Sequence, residues 1–99
     1  MEPQNLNLAP LTVAELQQVL TEILGPAGRA EVARDTPQSP ITGFVAHPEF
    51  RGLSLAERRA RVWEGLRDHL GPRAQEVGTL FFLSPAEYEE TFGEPLNAA

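Results

Sequence analysis

The chain has 99 residues and a mass of 10.9 kDa, room for one small domain, and its 41% hydrophobic and 22% charged residues fit a globular protein rather than a disordered chain. It has no cysteine, which excludes disulfides, thiolate catalysis and cysteine-ligated zinc or iron–sulfur centres supplied by this chain alone. Fourteen acids against eight arginines give a net charge of −6, which disfavours non-specific binding to nucleic acid, and no apolar run nears the ~18 residues of a membrane span. Met1 to Pro10 carry no basic residue and no apolar block, so no secretory signal is expected and the expected location is cytoplasmic.

Residues 1–10 are polar and read as a flexible N-terminus. Thr12-Val13-Ala14-Glu15 has the capping-box pattern, with Leu11 and Leu16 placed as a hydrophobic staple. Val13, Leu16, Leu20, Ile23 and Leu24 follow at helical spacing, and Gly25-Pro26 stops the helix. Ala30 to Arg34 reads as a short strand with Val32 inward, and residues 35–40 as a loop. Ile41 to Ala46 is β-prone and ends at Pro48. Phe50-Arg51-Gly52-Leu53 reads as a turn before a second capping box, Ser54 to Glu57. The helix it opens runs to about Leu70, with Leu55, Val62, Leu66 and Leu70 on one stripe and Trp63 beside it, and Gly71-Pro72 stops it. Val77 to Leu83 is a short apolar run, the pattern of a buried strand. Phe81 and Phe82 are adjacent in it and therefore point to opposite faces. Ser84 to Glu87 is a third capping box, with Pro85 at the first helical position of an acidic helix ending near Phe92. Residues 94–99 read as a flexible tail.

The order α-β-β-α-β-α predicts a single small α+β domain over residues 11–93. Its two adjacent strands form a hairpin and its second helix crosses over to the last strand. The result is a three-stranded mixed sheet with helices on one face.

Charge is uneven. Residues 51–73 hold six Arg against Glu57, Glu64 and Asp68, while residues 74–99 hold five acids and no base. The arginine segment reads either as a solvated helix face with local ion pairs or as a dock for phosphates or an acidic protein surface. Catalytic patterns are missing: there is no G-x-S-x-G, phosphate loop, G-x-G-x-x-G or H-E-x-x-H. His47 and His69 share no ligand spacing and read as ordinary surface or half-buried histidines, with metal binding by Glu76 and one of them the weakest alternative. Glu87, Glu89 and Glu90 lie at a helix start, where acids suit the dipole, and read as solvated. The chain is not expected to be an enzyme.

Phe50-Arg51-Gly52-Leu53-Ser54, then Arg58-Arg59-Ala60-Arg61-Val62-Trp63 and Leu66, resembles the signature of the BolA family, F-x-G-x-S followed by R-H-R-x-V-Y and Leu. Ser84-Pro85-Ala86-Glu87-Tyr88 is similar to the family's T-P-E-E-W ending. The resemblance spans roughly residues 12–92 and implies a BolA-like fold, related to the KH class II arrangement. Phe50, Gly52, Val62, Leu66 and Pro85 are its structural signature. It also implies a non-enzymatic interaction or regulatory protein that partners a CGFS monothiol glutaredoxin in iron–sulfur homeostasis and shares a 2Fe–2S cluster with it. A link to transcriptional regulation is implied too, with Arg58, Arg59 and Arg61 as the partner- or nucleic-acid-binding residues. Two ligand positions depart from the family. Glu76 stands nine residues before Pro85, where the family has a ligand His, and residues 35–40 hold no His or Cys as the second ligand. Glu76 is thus the candidate metal residue, and the chain has no cofactor of its own.

Overall fold

The computed structural model describes residues 10–96. Helix α1 (Val13–Leu24) starts where the Thr12 hydroxyl accepts the Glu15 N–H at 3.0 Å. The predicted box is only half formed, because the Glu15 carboxylate pairs with Arg73 instead of turning back to the cap. Leu11 and Leu16 are both fully buried, as the staple requires. Strand β1 (Arg29–Ala33) begins one residue earlier than expected, and β2 is Ile41–Ala46. A short 3₁₀ turn at Pro48–Phe50 leads into α2 (Leu55–Leu70), where Ser54 and Glu57 complete a reciprocal capping box. Gly71–Glu76, expected only as a stop, forms a second 3₁₀ segment before β3 (Val77–Leu83). Helix α3 (Pro85–Phe92) has its own reciprocal box from Ser84 and Glu87.

The sheet order is β1-β2-β3. The hairpin pairs β1 and β2 antiparallel, with Arg29 opposite Ala46 and Ala33 opposite Thr42. The α2 crossover makes β2 and β3 parallel, with Gly43 opposite Leu80 and Ala46 opposite Leu83, and the register slips between Ile41 and Gly43. The α+β class, element order and mixed sheet are those the sequence predicts.

The two sheet faces are unequal. Ile41, Val45, Leu80 and Phe82 point to one face, where Leu16 and Leu20 of α1 and Val62 and Leu66 of α2 close the main core. The expectation of helices on one face holds for α1 and α2 but not for α3. Strand alternation turns Phe44, Ala46 and Leu83 to the opposite face, and Tyr88 of α3 packs there with Leu96. Leu96 is 7% exposed, so the packed chain continues past residue 93 into what was expected to be a free tail. The rest of that tail, residues 97–99, and residues 1–9 lie outside the described residues. Leu55, expected on the buried stripe, is 67% exposed, and Arg58 is turned inward one turn later.

Candidate interaction surface

The three arginines singled out in α2 have three different surroundings. Arg58 is only 6% exposed and is part of the scaffold. Its Nε donates to the Leu53 carbonyl at 3.0 Å, and its Nη1 donates to the Phe82 carbonyl at 2.9 Å and to Glu87 Oε1 at 2.7 Å. The guanidinium lies 5.8 Å from the centre of the Phe50 ring. Its expected role in docking is therefore corrected: a buried guanidinium with three acceptors, tying α2 to β3 and α3, has no face left for a partner. Glu87, expected to be solvated, is its ion-pair partner. The Ser84 backbone N–H, foremost, and then Arg58 hold the Glu87 carboxyl below its ordinary titration range.

Arg61 is exposed and ion-paired with Glu49. Arg59 is exposed and lies over the Trp63 ring, 5.1 Å from its centre. Helical spacing adds Arg67 one turn beyond Trp63, so Arg59, Trp63 and Arg67 form a stripe with Ala56 and Ala60 beside it. Among the described residues neither Arg59 nor Arg67 has an ion-pair partner. Trp63 was expected beside the buried stripe, and Arg67 only as one of the six arginines of residues 51–73; their i, i+4, i+8 spacing with Arg59 is visible in the sequence.

Glu76 lies at the end of the 3₁₀ segment, against the β1–β2 loop. With Arg34, Gln75 and loop residues from Pro37 to Pro40 it borders a cavity of about 230 Å³. Its Oε1 accepts the Leu11 N–H at 3.0 Å and faces the Arg34 guanidinium at 3.9 Å. A shared 2Fe–2S cluster does not fit this corner. The loop offers no thiolate or imidazole, and the carboxylate is a hard donor already engaged. Nor does either histidine join Glu76. His47 is buried at the far end of β3, roughly 20 Å away along a seven-residue strand. Its Nδ1 accepts the Glu49 N–H at 2.9 Å and its Nε2 contacts the Leu24 carbonyl at 3.0 Å, so it caps the Pro48 turn and ties it to α1. His69 lies on the α1–α2 seam, 3.7 Å from Glu22. Among the described residues no three His, Cys, Asp or Glu side chains gather as a metal site.

The signature residues have scaffold roles. Phe50, Val62 and Leu66 are each at most 1% exposed. Gly52 takes φ +75°, a left-handed turn that a side chain would strain. Pro85 starts α3. On the opposite sheet face Phe81 is 66% exposed and borders an apolar groove with Phe44 and Phe92.

No protein-family model and no curated protein matches the chain. Among solved structures it is similar to a bolA protein homologue from Coxiella burnetii, with a TM-score of 0.59 over 80% of this chain and 97% of that one. The two sequences are 22% identical, so the likeness shows the fold. The chain has a BolA-like fold, assembled around the scaffold residues that carried the resemblance.

Proposed function

We propose that this chain is a non-catalytic, BolA-like interaction protein that docks a protein partner without contributing a cluster ligand. The partner the resemblance implies is a CGFS monothiol glutaredoxin, and the docking surface is the Glu76 corner together with exposed Arg59, which borders one groove with Gln75; Arg61, paired with Glu49, lies on another side of α2. One observation carries the proposal: the corner where the resemblance would place the ligands is lined by the Arg34–Glu76 pair, with Glu76 also bonded to the Leu11 N–H. A corner built this way can present shape and charge to a partner, but it has no soft donor for iron.

The test is a titration of cluster-loaded glutaredoxin with this protein, followed by visible circular dichroism and size-exclusion chromatography. The expected result is co-elution with an unchanged cluster spectrum, weakened by Arg59→Glu and not by Arg61→Glu. A new cluster spectrum abolished by Glu76→Ala would overturn docking without ligation. Failure to co-elute at any ratio would overturn the glutaredoxin partnership.

A further inference from the structure

The two outer edges of the sheet are finished differently. The edge of β1 is covered by one side chain: Gln17 of α1 donates its amide to the Ala30 carbonyl and accepts the Val32 N–H at 3.3 Å. That amide takes the place a neighbouring strand would occupy. The edge of β3 has no such cover. The Leu83 carbonyl accepts the His47 N–H at 3.2 Å, so Phe81 and Leu83 direct their backbone groups at β2. Alternation then turns the backbone groups of Leu80 and Phe82 outward. Arg58 takes the Phe82 carbonyl, while the same alternation leaves the Leu80 N–H and C=O facing away from β2.

A groove of about 550 Å³ runs beside this open edge, with Val77 to Leu80 on one wall and Arg59 and Trp63 of α2 on the other. Arg67, Ala56 and Ala60 extend the second wall along the helix, and no carboxylate lines either part. The acids of α2, namely Glu57, Glu64 and Asp68, lie elsewhere around its circumference. On the opposite side of the same edge is exposed Phe81, with its apolar groove.

We infer that the β3 edge receives an added strand: an extended, acidic segment of a protein partner. The inference rests on reading the chain as an interaction protein, but not on the identity of that partner. Backbone bonds to Leu80 would supply affinity, and alternating side chains would supply specificity. Carboxylates on one side of the added strand meet Arg59 and Arg67, while apolar groups on the other side meet Phe81. A second copy of this chain is the wrong occupant. Antiparallel pairing of two β3 edges puts both α2 helices on the same side and brings their Arg59–Arg67 stripes together, where like charges repel. Nucleic acid is also disfavoured: the net charge of −6 repels it, and a phosphate backbone has no alternating N–H and C=O groups to pair with a strand edge.

The test uses the full chain, isotope-labelled for NMR, titrated with a blocked heptapeptide of alternating glutamate and valine. The expected result is saturable shifts confined to the Gly78–Phe82 amides and the Trp63 indole, with slowed hydrogen exchange at the Leu80 amide. Replacing the glutamates by lysine abolishes them. N-methylation of alternate peptide nitrogens, or the double substitution Arg59→Glu and Arg67→Glu at exposed positions, weakens binding at least about tenfold. No shift at ~1 mM peptide, equal binding of the lysine peptide, or shifts away from β3 would overturn the inference. So would tighter binding of a single-stranded oligonucleotide to the same residues, or self-association through β3 without peptide. No glutaredoxin is present, so failure here and failure of that partnership are separate results.

Discussion

Removing the Arg58 side chain should be among the most damaging changes to an apparently polar position in this fold. Arg58→Ala leaves the Phe82 carbonyl and the Leu53 carbonyl without their donor and deprives Glu87 of its cation. A buried carbonyl left unpaired costs about 1–3 kcal/mol, and breaking a fully buried ion pair costs about 3–5 kcal/mol. The upper figure does not apply, because the Glu87 side chain is 47% exposed and water can solvate its freed carboxylate. The expected loss is about 2–4 kcal/mol, from a total of about 5–15 kcal/mol for a domain this size. In urea unfolding followed by far-ultraviolet circular dichroism, it lowers the midpoint by about 2 M. Arg58→Met keeps the stem against Phe50 and should recover part of the loss, separating packing from hydrogen bonding. Glu87→Gln keeps an acceptor but leaves the buried guanidinium without its anion, and should cost about 1–3 kcal/mol. The pH dependence has a definite sign. The folded Glu87 carboxyl titrates below its ordinary range, so its stabilisation is full above the unfolded value of about 4.3 and is lost as pH falls through the lower folded value. Arg58→Ala should move the Glu87 midpoint upward in an NMR titration, with the Ser84 N–H retaining part of the depression. An Arg58→Ala protein with a wild-type urea midpoint would refute the assignment of this arginine to the scaffold.

Two further substitutions probe how the sheet is joined to the rest. A Cβ at Gly43 would lie 2.0 Å from the Glu31 carbonyl oxygen and 2.8 Å from Val32 Cα, so Gly43→Ala pushes against the β1 backbone itself. It should cost more than ~3 kcal/mol or prevent folding, and a near-native urea midpoint would contradict the β1–β2 packing. His47→Ala removes the cap on the Glu49 N–H and the tie to the Leu24 carbonyl and should cost about 1–3 kcal/mol. His47→Asn, which can still cap, should recover part of that loss, and equal thermal midpoints for the two variants would refute the capping role.

Much of the fold was legible because local chemistry and global pattern agree. Thr12, Ser54 and Ser84 open the helices where their side chains suggest, and Gly25 and Gly71 close two of them with positive φ. What was not legible depended on residues far apart in the chain. Arg58 sits in a run of arginines that reads as solvent-facing, and only the Phe82 carbonyl and Glu87, 24 and 29 residues away, make its burial favourable. Leu55 is in phase with Val62 and Leu66, but at the first position of α2 it has no core beneath it. The apolar run Leu80–Leu83 puts large side chains on both faces of β3 without showing which face α3 covers, and so the placement of α3 was misjudged. Counting back from Pro85 singled out Glu76, but nothing local indicated that Leu11 and Arg34 would hold it.

The scaffold is separate from the Glu76 corner, so the BolA-like fold does not depend on which side chain stands there. Phe50, Val62 and Leu66 belong to the main core, and Gly52 sets the entry to α2. Glu76 contributes no apolar area to that core and meets the rest of the molecule through a part-buried hydrogen bond and a long ion pair. Exchanging a side chain at such a place changes charge and donor chemistry while leaving the packing intact. A carboxylate placed there without a cation would face the Leu11 N–H alone; with Arg34 at hand the corner is close to neutral. The arginine that closes one corner of the sheet and the arginines that line the β3 edge thus have opposite consequences. Arg34 satisfies an acid of its own chain, whereas Arg59 and Arg67 leave a positive groove beside the outward-facing backbone of β3, and the proposed acidic partner rests on this asymmetry.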